Sequence, residues 1–153
     1  MVRKRLTIPS SIKHIKPTVH TVLDTLRENG IDESVVFDIR LSIEEALINA
    51  IKHGNRSNEK LSVHVDFSYE GDTVMLAVED MGGGFDYRTL PNPTHEDNVL
   101  KTKGRGIFLI RHLMDKVEFN DKGNRVTMVK SIEKQRNPAG QRGKGHADYR
   151  AKE

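Results

Sequence analysis

Asp80-Met81-Gly82-Gly83-Gly84-Phe85-Asp86 constrains this chain more than any other stretch. It follows the alternating run Val74-Met75-Leu76-Ala77-Val78, which the two-residue period predicts as a strand. A carboxylate therefore stands where a strand stops, and three glycines then let the backbone come close to whatever lies beside it. A second pair, in Gly104-Arg105-Gly106, precedes a helical pattern carried by Ile107, Leu109, Ile110, Leu113 and Met114. Polar residues 87–103, with Pro91 and Pro93, have no firm period and read as a loop. A loop that long in a small domain is more often functional or disordered than idle. Together these pieces suggest a nucleotide site with a lid.

Each corner also has a plainer reading. Asp80 fits an Asx turn, and Gly104-Arg105-Gly106 fits a flexible entry to a helix. Neither matches a better-known phosphate motif. No Lys-Ser/Thr follows the first glycines, and the second pair does not directly follow a strand.

The remaining elements follow from periodicity and punctuation. Residues 5–8 read as an edge strand closed by Pro9. A helix from Lys16, with Pro17 in its first turn and Val19, Val22, Leu23 and Leu26 on one face, ends at Asn29-Gly30. Asp32 caps a second helix predicted to run to His53, with Gly54 as its terminator. At about 100° per residue, Val36, Ile39, Ile43, Ala46, Leu47, Ala50 and Ile51 form one broad apolar stripe, which packs on a sheet. Glu45, Asn49 and His53 form a polar row beside it. Residues 61–67 alternate, Glu70-Gly71-Asp72 makes a hairpin turn, and 73–79 return. A helix over 106–116, a strand over 117–119, a turn at Asp121–Asn124 and a strand over 126–132 complete the domain. Helices and antiparallel strands are segregated. That order predicts an α/β two-layer sandwich, with a mixed, mostly antiparallel sheet covered on one face by helices.

Composition narrows the chemistry. The 153 residues suffice for one domain, assigned to 1–133, with an aliphatic core. The chain has no Cys, which excludes disulfides, thiolate metal sites and Cys nucleophiles. No run is long and apolar enough for a membrane span and no signal peptide is apparent, so a cytoplasmic protein is expected. Residues 134–153 carry Lys134, Arg136, Arg142, Lys144, Arg150 and Lys152 against Asp148 and Glu153. They read as a basic, disordered tail; direct nucleic-acid binding is not favoured.

A nucleotide site needs more than glycine. Asp80 suits an exocyclic amine such as that of adenine. A helix N-terminus after Gly104-Arg105-Gly106 suits phosphate. Mg²⁺ keeps several waters and takes one or two protein oxygens, for which the Asn49 amide is suitable. Glu45, one turn earlier, suits a general base. A solvated helix face is the plainer reading of that pair. His53 lies near the helix end, where a partner of the helix dipole is the ordinary role.

Glu45-Ala46-Leu47-Ile48-Asn49-Ala50-Ile51-Lys52-His53-Gly54 resembles the N-box of the GHKL ATPases, which include gyrase, histidine kinases and MutL. Asp80-Met81-Gly82-Gly83-Gly84 resembles their D-x-G-x-G box, and Gly104-Arg105-Gly106-Ile107 their second glycine box. Order and spacing agree over roughly residues 5–133. Size and E-x-x-x-N-A-I-x-H-G bring the chain nearest to bacterial anti-sigma factor serine/threonine kinases of the RsbW and SpoIIAB kind.

The resemblance implies a Bergerat-type ATP site. Glu45 would be the base, Asn49 would carry Mg²⁺ and Asp80 would bind adenine. Gly82, Gly84, Gly104 and Gly106 would shape the lid and phosphate sites. It extends nucleotide contacts to His53, Phe85, Lys103, Arg105, Ile107 and Thr127. It also implies a homodimer that binds a sigma factor and phosphorylates a STAS-domain anti-sigma antagonist. The alternative is an ATP-binding regulator that sequesters its partner without phosphorylating it. Two features depart from the pattern: Asn55 stands where an aromatic often follows His-Gly, and the basic tail has no counterpart.

Overall fold

A computed structural model describes residues 1–82 and 102–132, with the backbone alone for 102–105. The lid segment, Gly84, Phe85 and the basic tail lie outside the described residues, as do the side chains of Lys103 and Arg105. The strands are β1 (Val2–Pro9), β2 (Ser62–Glu70), β3 (Thr73–Glu79), β4 (Lys116–Phe119) and β5 (Arg125–Ser131). The helices are α1 (Ile15–Glu28), α2 (Glu33–Ile48) and α3 (Thr102–Leu113). The five strands form one sheet in the order β1-β2-β3-β5-β4, and each of its four pairings is antiparallel. The expected two-layer sandwich is thus present, its sheet antiparallel throughout the described residues.

Strand alternation sorts the side chains. Val63, Val65, Phe67, Val74, Leu76, Val78, Val126 and Met128 are buried beneath the helices. The apolar stripe is buried along its whole length, with Ile39, Ile43 and Leu47 on α2 and Ile51 in the turn that follows it all at 0% exposure. Val35 and Ser42, which lie off the stripe, are buried as well, because α1 and α3 both pack on α2. The helix is therefore covered on three sides and holds a fixed position over the sheet. That matters for Glu45 and Asn49, which ride on it.

The turns reward their glycines selectively. Gly30 adopts φ +74°, and Gly30 N–H donates to Arg27 O while Ile31 N–H donates to Leu26 O, closing α1 as its Asn-Gly pair predicts. Gly71 and Gly123 also take positive φ, in the two hairpin turns.

One buried ion pair ties three elements together. Lys130 Nζ, on β5, lies 3.2 Å from Asp38 Oδ2 on α2 and donates to Leu113 O at the end of α3. Lys130 is only 9% exposed. Lys130→Met removes the cation and leaves the Asp38 carboxylate in low dielectric. A loss of about 2 kcal/mol is expected, below the range for fully buried pairs because both side chains keep some exposure. Chemical denaturation of the purified variant measures it.

Candidate functional site

The central helix does not stay α-helical to His53. It gives way at Asn49 to a π-helical turn, Asn49–Gly54, in which Asn55 N–H donates to Ala50 O. The wider turn breaks the 100° increment beyond Asn49, so the row predicted from an ideal helix ends there. His53 is exposed and does not line the cavity described below, which corrects its expected place. The expected role of Gly54 as a left-handed helix terminator also fails. The left-handed positions are Arg56 (φ 51°) and Ser57 (φ 58°), neither of them glycine.

Gly54 is required for a different reason. A Cβ there would meet the Asp80 carboxylate, and a Cβ on Gly82 would meet the carbonyl oxygen of Gly54. The three residues are packed backbone to carboxylate. Asp80 Oδ1 accepts from Gly82 N–H at 2.8 Å, the Asx turn of the plainer reading. The turn and the site are thus one structure. Asn124, in the β4–β5 turn, fixes Asp80 from the other side: its Nδ2 donates to Asp80 O (2.8 Å) and its carbonyl accepts from Asp80 N–H (2.9 Å).

A second polar cluster lies on α2 and α3. A Cβ on Gly106 would come 2.6 Å from Glu45 Oε2 and 3.6 Å from Asn49 Nδ2. Gly106 therefore brings the α3 backbone against both predicted catalytic-end side chains, and only the missing side chain permits it. The structure corrects the boundary: α3 begins at Thr102, so Gly104 and Gly106 lie inside the helix rather than before it. Its open N–H groups fall in the first turn, N-terminal to Gly106. Glycine's poor helix propensity hid this start, since close approach to Glu45 outweighs propensity here.

Between the clusters lies a partly open cavity. Val78 and Val126 from the sheet, Ala46 and Ala50 from the α2 region, and Ile107, Ile110 and Phe119 give it apolar walls. Asn49, Asp80 and Asn124 supply polar groups. An apolar slot with a carboxylate at one end suits a flat heterocycle bearing an amine. Thr127 is not part of it. Alternation along β5 puts Val126 and Met128 toward the helices and Thr127 on the opposite face of the sheet, paired with Ala77 and Glu118. Of the predicted residues, then, the structure brings Asn49, Asp80 and Ile107 to the cavity wall, with Gly82 against Gly54 and Asp80, and Glu45 against Gly106. It leaves His53 and Thr127 away from that wall.

Asn55 and Asn124 were missed as contributors to the site. Asn55 stood out only as a departure from an expected aromatic. Asn124 carried only turn chemistry, since its grip on Asp80 spans 44 residues. Among the described residues no group of three or more His, Asp or Glu could hold a metal. Asn49, one turn from Glu45 and on the cavity wall, carries an amide oxygen, a donor type that Mg²⁺ accepts.

Comparison with known proteins agrees with this geometry. Residues 8–130 match the model of the histidine kinase-like ATPase domain. Serine-protein kinase RsbW from Staphylococcus aureus (strain JH9) is 27% identical over 138 residues, covering 85% of this chain and 87% of that protein. The protein of the same name from Staphylococcus epidermidis is 25% identical over 138 residues, with the same coverage. The crystal structure of the RsbU and RsbW domains of Rv1364c from Mycobacterium tuberculosis superposes with a TM-score of 0.60 at 20% identity. That match covers 86% of this chain and 32% of the other, so this chain spans about a third of that larger structure and shares the fold of one part of it. No helix among the described residues is long and apolar enough to cross a membrane. On sequence, fold and the arrangement of its glycine corners, the chain belongs to the histidine kinase-like ATPase domain family, close to the RsbW-type anti-sigma kinases.

Proposed function

We propose that the protein is an ATP-dependent serine/threonine kinase that doubles as an anti-sigma factor. In this reading it binds a sigma factor, and it phosphorylates a STAS-domain antagonist of that binding. The observation that carries the reading is the two-ended cavity. The Asp80–Gly82 turn stands at one end, and the Glu45/Asn49 pair lies against Gly106 at the α2–α3 contact.

Each residue has a part. Asp80, held by Asn124 and its own turn, accepts a hydrogen bond from the adenine amine. Val78, Val126 and Ile107 enclose the base and exclude water. Asn49 offers its amide oxygen to Mg²⁺, which when bound neutralises phosphate charge. Glu45, one turn before Asn49, accepts the proton of the attacking seryl or threonyl hydroxyl. That oxygen bonds to the γ-phosphorus as the bond to ADP breaks. Phosphoryl transfer depends on positioning and charge neutralisation more than on covalent help from the protein, and these residues supply both. A homodimer is part of the proposal, as the resemblance implies.

Incubation with γ-labelled ATP, Mg²⁺ and a STAS-domain protein from the same host tests this. Label on a serine or threonine of the partner is the expected result. ATP binding without any label on the partner, across Mg²⁺ concentrations, would leave only a nucleotide-binding regulator.

A further inference from the structure

Asn55 is 2% exposed and lies behind the cavity rather than on its wall. Its Nδ2 donates to Ser10 Oγ (2.8 Å) and to Ser62 O (3.0 Å), and its Oδ1 accepts from Met81 N–H (2.8 Å). Ser10 Oγ in turn donates to Leu61 O at 2.6 Å. Both amide hydrogens of a buried side chain are therefore used. The network joins the end of β1, the turn after α2, the start of β2 and the residue that follows Asp80.

The network sits where the backbone most needs holding. Arg56 and Ser57, directly after Asn55, occupy the left-handed region, which is unfavourable for a residue with a side chain. Such positions persist where the surroundings over-determine them. On the other flank, β3 has ended at Glu79, and Met81 N–H finds its acceptor in Asn55. Asp80 thus lies between two asparagines: Asn124 grips its backbone, and Asn55 grips the next amide. With both fixed, the Asp80 carboxylate is packed against Gly54 and accepts from Gly82 N–H.

We propose that Asn55 is a positioning residue for base recognition. It holds the Gly54 and Met81 backbones so that the Asp80 carboxylate meets adenine rather than guanine. The inference rests on the ATP reading above. It predicts a selectivity effect that simple loosening of the fold does not produce. Guanine presents no exocyclic amine at the position of the adenine amine, so a GTP complex does not draw on the fixed orientation of Asp80.

The test measures Kd for Mg·ATP and Mg·GTP by calorimetry on the full chain and on Asn55→Ala, Asn55→Asp and Ser10→Ala, with a thermal melt of each. Asn55→Ala is expected to weaken ATP at least tenfold while moving GTP less than threefold, so the ATP-over-GTP preference shrinks. Transfer rate at saturating ATP should stay within threefold. Asn55→Asp keeps an acceptor for Met81 N–H but loses both amide donors and sets a carboxylate oxygen against Ser62 O, so it should lose ATP over GTP as Asn55→Ala does. ATP affinity within twofold in folded Asn55→Ala, or equal loss of ATP and GTP, overturns the proposal. If Asn55→Ala does not fold, Ser10→Ala decides: a threefold or greater loss confined to ATP supports it, and unchanged affinity overturns it. A parent protein that binds neither nucleotide overturns the ATP reading itself, and this inference with it.

Discussion

Glu45→Ala is expected to slow phosphoryl transfer to the partner protein by about 10²–10⁴-fold while ATP affinity stays within threefold. The asymmetry follows from position. Glu45 lies with its carboxylate against Gly106, at the α2–α3 contact and away from the Asp80 turn, and it does not line the cavity. Removing it deprives the acceptor hydroxyl of its base but takes nothing from the adenine slot. Glu44 is the internal control, because it is next in sequence but about 100° round the helix. Glu44→Ala should leave transfer within twofold. Asn49→Ala should behave differently from both, lowering Mg·ATP affinity along with transfer, since its amide lines the cavity. Single-turnover transfer of label from ATP, paired with calorimetric Kd values, separates the three. Equal rates for Glu45→Ala and the parent would remove Glu45 from the chemistry and favour another base.

The sequence was most legible where one period governs a long stretch. The α2 stripe from Val36 to Ile51 and the alternation of β2 and β3 are set by burial against one neighbour layer, so the pattern maps directly onto the fold. The places of Glu45, Asn49 and Asp80 on a helix face and at a strand end were legible because each sits at a fixed offset from such a pattern; their roles came only from the resemblance. Legibility failed where a tertiary contact overrode a local rule. His53 follows from an ideal helix, but the π-helical turn intervenes, and no local signal marks it. Gly54, Gly104 and Gly106 carry helix-ending propensity, yet Gly54 and Gly106 serve close packing against carboxylates fixed by distant chain. Thr127 lies one step of alternation from the cavity face of β5, which turns its side chain to the other face of the sheet. Asn55 and Asn124 act through hydrogen bonds spanning 26 and 44 residues, which a single sequence cannot register.

Gly82→Ala should be the most damaging added methyl among the described glycines. The added carbon would meet the Gly54 carbonyl oxygen, lie 2.8 Å from the Gly54 carbonyl carbon, and lie 3.1 Å from Asp80 Oδ1. Two of those atoms are backbone, so no rotamer change relieves the contact. Either the turn after α2 retreats, against the Asn55 network and the Asn55 N–H to Ala50 O bond, or residues 80–82 do, against Asn124. Both routes reorient the Asp80 carboxylate. A stability loss of about 3 kcal/mol is expected from overpacking, together with at least a hundredfold loss of ATP affinity in the protein that remains folded. Gly30→Ala separates the two effects. A Cβ there meets nothing within 4 Å but must adopt φ +74°, so it should cost about 1 kcal/mol of stability and leave ATP affinity unchanged. Denaturation midpoints and Kd values measured on both variants give the decision. If Gly82→Ala loses affinity no more than Gly30→Ala does, the contact between Gly82 and Gly54 is a packing detail of the turn and the carboxylate of Asp80 does not depend on it.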